Sequence, residues 1–257
     1  MRVLLAFLSL TLLSTQSHAQ LCIAHRGDSI NNVDNTLEAV KSGWDAGADI
    51  VEVDVRMLVD NTLVLFHDED IQGILLSTLT YPQLQEFTPR YHVPTLKELL
   101  AANPDGKILL LDLKSPTPLY LEKLLGVLQE NAINEKTVIL QSKDLPSLQK
   151  IRSSRFSNFR LFYVTSLERG GALQQRPDAE TLAKELKKAG LNGVTAKGRR
   201  SVDRSYVKAF QDLGLQYFVW TINEADRIRH YADIGVDGII TDDPKTVKET
   251  IGTPAGP

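Results

Sequence analysis

A glycine, then an apolar residue, then a polar one closes an amphipathic stretch and opens a short apolar run four times in this chain. The four copies are Gly47-Ala48-Asp49, Gly190-Leu191-Asn192, Gly214-Leu215-Gln216 and Gly235-Val236-Asp237. Glycine ends a helix in the left-handed conformation at least steric cost, and the apolar residue after it packs back on the helix just left. The triplet is therefore a helix-to-strand junction, and its recurrence commits the chain to alternating helices and strands.

The helices carry matching start signals. Asn35 and Glu38 have capping-box spacing ahead of residues 39–46. Pro94-Thr95 precedes residues 96–102, and Asp242-Asp243-Pro244 places an acidic cap before a proline at the first helical position. Further amphipathic runs occupy 119–131, 145–153, 179–189, 206–213 and 225–234. The strands predicted between them are 21–25, 50–55, 108–113, 137–140, 160–164, 193–195, 216–220 and 238–241, with residues 62–66 as a separate hairpin strand after Val55. Such alternation implies a parallel sheet covered by helices. Eight units in about 240 residues predict an α/β fold, a (β/α)8 TIM barrel with a short insertion after the second strand. A doubly wound open sheet is the competing arrangement, but the G-x-G-x-x-G that would follow its first strand is absent.

The first residues read differently. Arg2 supplies a positive charge, residues 3–13 are apolar apart from Ser9 and Thr11, and Ser17-His18-Ala19 has the small-x-small form of a cleavage site. This is the pattern of a secretory signal peptide over residues 1–19. The run is too short to span a bilayer as a helix; a membrane anchor or a buried first helix is the competing reading. The expected organisation is a signal peptide at 1–19, a barrel domain at 20–251 and a flexible tail at 252–257, in an exported protein that is periplasmic or secreted, with no stable membrane insertion after cleavage. Cys22 is the sole cysteine, so neither an intramolecular disulfide nor a cysteine-based zinc site is available. It raises a lipoprotein alternative, but Leu21 before it is large for a lipobox. The formal net charge of −3 gives no footprint for nucleic acid, and Arg199-Arg200 reads as a solvated loop.

In a parallel barrel the strands are nearly all apolar, and functional groups sit at their C-terminal ends. Polar exceptions are therefore informative. The first strand ends in His25-Arg26-Gly27. In the second, Glu52 and Asp54 are two apart and share a face, while Val51, Val53 and Val55 take the other. Two inward carboxylates repel each other and are costly to bury ionised; a divalent cation with hard oxygen ligands relieves that cost, as would pairing with Arg or Lys. The third main strand repeats the arrangement with Asp112 and Lys114, and His67-Asp68 ends the hairpin strand. Taken singly, each has a structural explanation: a loop start, an ion pair, a strand-end histidine. Together they place two histidines, three carboxylates, an Arg and a Lys at one rim. Arg and Lys suit a phosphate. The carboxylates suit Mg2+ or Ca2+ rather than Zn2+. Two imidazoles can divide acid and base work. The combination points to phosphodiester cleavage.

At these residues the chain resembles the glycerophosphodiester phosphodiesterase family. The matching pieces are Ala24-His25-Arg26-Gly27, Asp34-Asn35-Thr36, Gly47-Ala48-Asp49 through Glu52-Val53-Asp54-Val55, His67-Asp68, Asp112-Leu113-Lys114, Val219-Trp220-Thr221-Ile222-Asn223, and residues 235–242. They run in the family's order. The resemblance implies that His25 and His67 are the general acid/base pair, that Glu52, Asp54 and Asp112 bind the divalent metal, and that Arg26 and Lys114 hold the phosphate. It places Trp220 against the alcohol portion of the substrate, though a core aromatic fits the same position. Two departures stand out: Asp34 and Asp112 each replace the family's usual Glu, keeping the charge and losing one methylene. Residues 69–91 match the insertion that helps close the family's site, and their apolar Ile71, Ile74, Leu75 and Leu76 suit either a lipid chain or simple packing.

The implied activity is metal-dependent hydrolysis of small-molecule glycerophosphodiesters to glycerol 3-phosphate and an alcohol. Two alternatives compete with it. One is a lysophospholipase D-like or phosphatidylinositol-type phosphodiesterase on a similar barrel; the other is a catalytically silent phosphodiester-binding protein. Retention of both His25 and His67 argues against the silent form.

Overall fold

The structure is a computed structural model that describes residues 20–167 and 177–252. The expected signal peptide, and residues 253–257 of the expected tail, lie outside the described residues; Gly252 belongs to the last helix.

The elements in chain order are β1 (Leu21–His25), α1 (Leu37–Asp45), β2 (Ile50–Met57), β3 (Leu63–Leu65), β4 (Asp70–Ile71), β5 (Ile74–Leu75), a short 3-10 turn (Leu76–Thr78), α2 (Tyr81–Phe87), α3 (Leu96–Ala102), β6 (Ile108–Leu113), α4 (Pro118–Glu130), β7 (Val138–Ser142), α5 (Leu145–Arg152), β8 (Arg160–Thr165), α6 (Ala179–Lys188), β9 (Gly193–Lys197), α7 (Arg204–Gln211), β10 (Gln216–Trp220), α8 (Ala225–Ile234), β11 (Gly238–Thr241) and α9 (Pro244–Gly252). Strands β1, β2, β6, β7, β8, β9, β10 and β11 pair in parallel, and β1 bonds to both β2 and β11. The sheet therefore closes on itself as an eight-stranded barrel with helices outside, a TIM barrel. β3 pairs antiparallel with the far end of β2.

The repeated triplet does what its chemistry dictates. Gly47, Gly190, Gly214 and Gly235 all have φ between 70° and 85°. The N–H of the apolar residue after each bonds back to its helix: Ala48 to Gly43, Leu191 to Leu186, Leu215 to Phe210 and Val236 to Tyr231. These four apolar residues are buried between barrel and helices. In three copies the polar residue then accepts the N–H of the second residue of the neighbouring strand: Asp49 from Cys22, Asn192 from Leu161 and Asp237 from Tyr217.

Alternation along each strand divides the core in two. Cys22, Val51, Val53, Val55, Leu111 and Leu113 face the helices. Burial there pushes the Cys22 thiol up to about 12, so it stays protonated and acts as a small apolar residue. Ile23, Ile50, Leu110, Ile139, Phe162, Phe218 and Ile240 fill the barrel interior. Phe162 and Phe218 stack at 4.6 Å between centroids. Two inward glycines make room for them: a Cβ on Gly193 would lie 2.4 Å from the Phe162 ring, and one on Gly238 would lie 2.8 Å from Phe218.

The insertion after β2 splits its apolar residues between two roles. Leu76 is buried with Leu58, Val64, Leu84 and Val93, and Ile71 packs on the same cluster. Ile74 and Leu75, which form the second strand of the β4–β5 hairpin, are exposed. Among the described residues no helix is long and apolar enough to cross a membrane.

Candidate active site

Register places the polar strand ends together. His25 pairs with Glu52 across β1–β2, and Asp54 pairs with Asp112 across β2–β6. All eight residues expected at the site, His25, Arg26, Glu52, Asp54, His67, Asp112, Lys114 and Trp220, line one cavity of about 120 Å3 at the C-terminal mouth.

The three carboxylates are its floor. Glu52, Asp54 and Asp112 are buried, and each offers an oxygen within 4.8 Å of the others. Burial, together with the charges of Asp54 and Asp112, pushes the Glu52 carboxyl well above the usual range. Burial also raises Asp112, only partly offset by Lys114. Asp54 goes the other way: burial opposes ionisation, but Lys114, Arg26 and a hydrogen bond from Asn35 outweigh it. Lys114 Nζ bonds to Asp112 Oδ2 and lies 2.8 Å from Asp54 Oδ1. Burial disfavours its charge, yet the three carboxylates more than compensate and hold it firmly protonated. The Asp–Lys pair envisaged from sequence is thus present. Glu52, by contrast, has no ion-pair partner among the described residues and accepts only the Arg26 backbone N–H, at 3.0 Å. Three carboxyl oxygens this close, one lacking a cation, fit a hard divalent ion, whose charge favours their ionised form.

Arg26 is held on both sides, Nη1 2.9 Å from Asp34 and Nε 3.1 Å from Asp54. It adopts φ 56°, and Gly27 follows at 83°. Only glycine fits at 27, because a Cβ would come within 2.3 Å of the Ala39 backbone. The first strand thereby turns sharply enough to bring the Arg26 guanidinium back over the barrel mouth.

The two histidines are anchored unequally. His25 Nδ1 lies 2.6 Å from Asp242 Oδ1, and the imidazole is 17% exposed; His67 Nδ1 lies 2.7 Å from Asp68, and its side chain is 40% exposed. The His67 carbonyl is clasped by Arg56, whose Nε and Nη2 donate to it at 2.9 and 2.7 Å.

Several residues here escaped the sequence reading. Lys143, Gln141 and Thr195 line the cavity, and Lys143 Nζ stands 5.9 Å from the Trp220 ring centre. Gln141 Oε1 and Thr195 Oγ1 are buried without a hydrogen-bond partner among the described residues. Asn35, expected to cap a helix, and Asp242, one of the acidic pair expected to cap the last helix, face the site. Asn35 grips Asp54 twice, Nδ2 to Oδ2 at 3.0 Å and Oδ1 from the backbone N–H at 2.9 Å; the cap of α1 is Thr36, which accepts from Ala39. Asp242 meets His25, and the capping of α9 falls to Asp243, which accepts from Thr246. Next to the cavity lies a larger groove of about 470 Å3 that shares His67, Asp112, Lys114 and Lys143; its remaining wall includes Arg56, Asp68, Glu69, Ser115 and Asp144, with Leu113 and Pro116 its apolar members.

A parallel barrel whose mouth joins two carboxylate-anchored histidines, three clustered acids and the paired cations Arg26 and Lys114 has the make-up of a phosphoric diester hydrolase. Residues 25–246 match the model of the glycerophosphoryl diester phosphodiesterase family. The chain belongs to that family. A glycerophosphodiester phosphodiesterase of Caldanaerobacter subterraneus is 28% identical over 246 residues, covering 88% of this chain and 96% of that one. Among solved structures, a glycerophosphodiester phosphodiesterase of Thermotoga maritima superposes with a TM-score of 0.74 at 25% identity, covering 90% of this chain and 99% of that one. An Oleispira antarctica phosphodiesterase, solved in complex with the product sn-glycerol-3-phosphate, shares the fold at a TM-score of 0.74 and 20% identity, covering 90% and 96%.

Proposed function

We propose that this protein hydrolyses glycerophosphodiesters to glycerol 3-phosphate and an alcohol, with His25 and His67 as the acid/base pair and Glu52, Asp54 and Asp112 as ligands of a divalent cation, Mg2+ or Ca2+. The observation that carries the proposal is the meeting of the three clustered carboxylates with both histidines, Arg26 and Lys114 in one cavity. When bound, the cation supplies positive charge to the phosphoryl oxygens. Arg26 and Lys114 hold the phosphate. Each is already fixed by carboxylates yet has further N–H groups to give, since a guanidinium carries five and an ammonium three. The histidines enter from different elements, the end of β1 and the turn after β3, so one can take a proton while the other delivers one to the leaving alcohol. Trp220 lines the pocket on the alcohol side.

The adjoining groove favours a polar leaving group. Its wall of charged and hydroxyl side chains suits a water-soluble head group better than an acyl chain. A lysophospholipase D-like activity is the second reading, favoured by exposed Ile74 and Leu75 on the insertion. Purified protein assayed on glycerophosphocholine, glycerophosphoethanolamine and lysophosphatidylcholine separates the two. Release of glycerol 3-phosphate from the first two is the expected result; turnover confined to the lysolipid would replace the first reading with the second.

The proposal includes export to the periplasm or medium after cleavage behind Ala19. N-terminal sequencing of secreted protein is expected to begin at Gln20; an intact N-terminus or a lipid on Cys22 would contradict it.

A further inference from the structure

His25 is tied to a carboxylate 217 positions away, and that carboxylate is itself tied down. Asp242 Oδ1 meets His25 Nδ1 at 2.6 Å and also accepts from Ser29 Oγ at 3.2 Å. Asp242 Oδ2 accepts from Asn223 Nδ2 at 2.7 Å. The orientation of the Asn223 amide is fixed by a donor that cannot change: its Oδ1 accepts the Asp242 backbone N–H at 2.9 Å, and the Thr241 hydroxyl at 3.1 Å. The amide N–H2 group must therefore face Asp242, so the group at 242 must present an acceptor to Asn223.

We propose that Asp242, oriented by Asn223, is the positioning residue that fixes the tautomer of His25, holding its proton on Nδ1 and leaving Nε2 as the proton acceptor. Burial opposes ionisation of Asp242, but the hydrogen bonds from His25, Asn223 and Ser29 bring it to about 2, so near neutrality it is acceptor-only. The proton in the 2.6 Å contact then belongs to His25. A neutral imidazole with a donating Nδ1 has an accepting Nε2. Asp68 makes a similar contact with His67, but that pair is far more exposed. The inference rests on His25 acting in proton transfer.

The network specifies its own test. In Asp242→Asn, Asn223 still demands an acceptor, so the new amide turns its oxygen toward Asn223 and its N–H2 toward His25. His25 Nδ1 then accepts, and the ring proton moves to Nε2. Turnover on glycerophosphocholine is expected to fall by roughly 10²–10⁴-fold with KM within a few-fold, as when a carboxylate-to-amide change reverses the tautomer of a catalytic histidine. In the double variant Asn223→Asp, Asp242→Asn, the carboxylate at 223 accepts from the amide at 242 and turns that amide's oxygen back to His25. At least tenfold recovery over the single variant is expected. The ring ¹⁵N shifts of His25 report the tautomer without any need for turnover. An unreversed tautomer in Asp242→Asn, or no recovery in the double variant, would overturn the inference. A reversed tautomer with unchanged turnover would instead remove His25 from proton transfer, and with it the functional reading beneath.

Discussion

The two ends of the barrel interior are built from the same strands yet follow opposite rules. At the lower end, Ile23, Ile50, Leu110, Ile139, Phe162, Phe218 and Ile240 make an apolar plug, with Gly193 and Gly238 accommodating its aromatic stack. Two residues further along the same strands come His25, Glu52, Asp112, Gln141 and Trp220. The lower end gains from every contact it makes. The upper end gathers buried like charges that the fold alone does not compensate, since Glu52 is raised well above its usual range by burial and by its acidic neighbours. A half-barrel without such an ion problem supports one that has it. Stability and chemistry should therefore separate by height in the barrel.

The largest separation is expected from point changes at either end. His25→Ala and His67→Ala should each lower turnover by roughly 10²–10⁴-fold with little change in thermal stability, because His25 ends its strand and His67 lies in the turn after β3. If either variant kept near-normal turnover, its acid/base assignment would fall. Phe218→Ala, in the plug, should cost about 3–5 kcal/mol of stability while turnover of the folded fraction, measured below its melting point, stays within a few-fold. Denaturant titration and steady-state kinetics on the same samples read both halves of the contrast.

Asp112 sharpens it further. Asp is shorter than Glu by about 1.5 Å, roughly one C–C bond, and Ca2+ tolerates long, irregular coordination better than Mg2+ does. Asp112→Asn is expected to weaken metal binding strongly, and Asp112→Glu to retain activity with a shifted metal preference. Activity titrated with each metal tests this. An unchanged metal requirement in Asp112→Asn would leave Asp112 as the ion-pair partner of Lys114 alone.

A smaller effect is expected from Glu52→Gln. In excess chelator this variant should melt above the unaltered protein, by about 2–4 °C for each kcal/mol of carboxylate repulsion and desolvation relieved. With Mg2+ or Ca2+ the order should reverse, since a ligand that binds only the native state stabilises it. A lower melting temperature in both conditions would mean that Glu52 is satisfied by the protein alone.

How far sequence reaches differs between these ends as well. The plug and its helices follow from apolar alternation and from the glycine junctions, so the barrel is legible in the sequence. The carboxylates were legible for the same reason, as polar residues at the inward positions of apolar strands. What was lost lay just beyond. The apolar runs end at Leu140 and Val55, whereas β7 continues to Ser142 and β2 to Met57. Continuing the alternation from Ile139 through Gln141 reaches Lys143, and from Asp54 it reaches Arg56. Asn35 and Asp242 were hidden by a different ambiguity. Both precede helices, and a polar residue in that place reads equally well as a cap; only tertiary geometry shows that Thr36 and Asp243 take the capping, leaving Asn35 for Asp54 and Asp242 for His25.

The contrast between the ends stands or falls on the cation. Turnover of glycerophosphocholine by the unaltered protein should vanish after exhaustive treatment with EDTA and return on adding Mg2+ or Ca2+. Full turnover in protein shown by metal analysis to be metal-free would contradict the account, because the three carboxylates at the mouth would then be reconciled without the proposed ion.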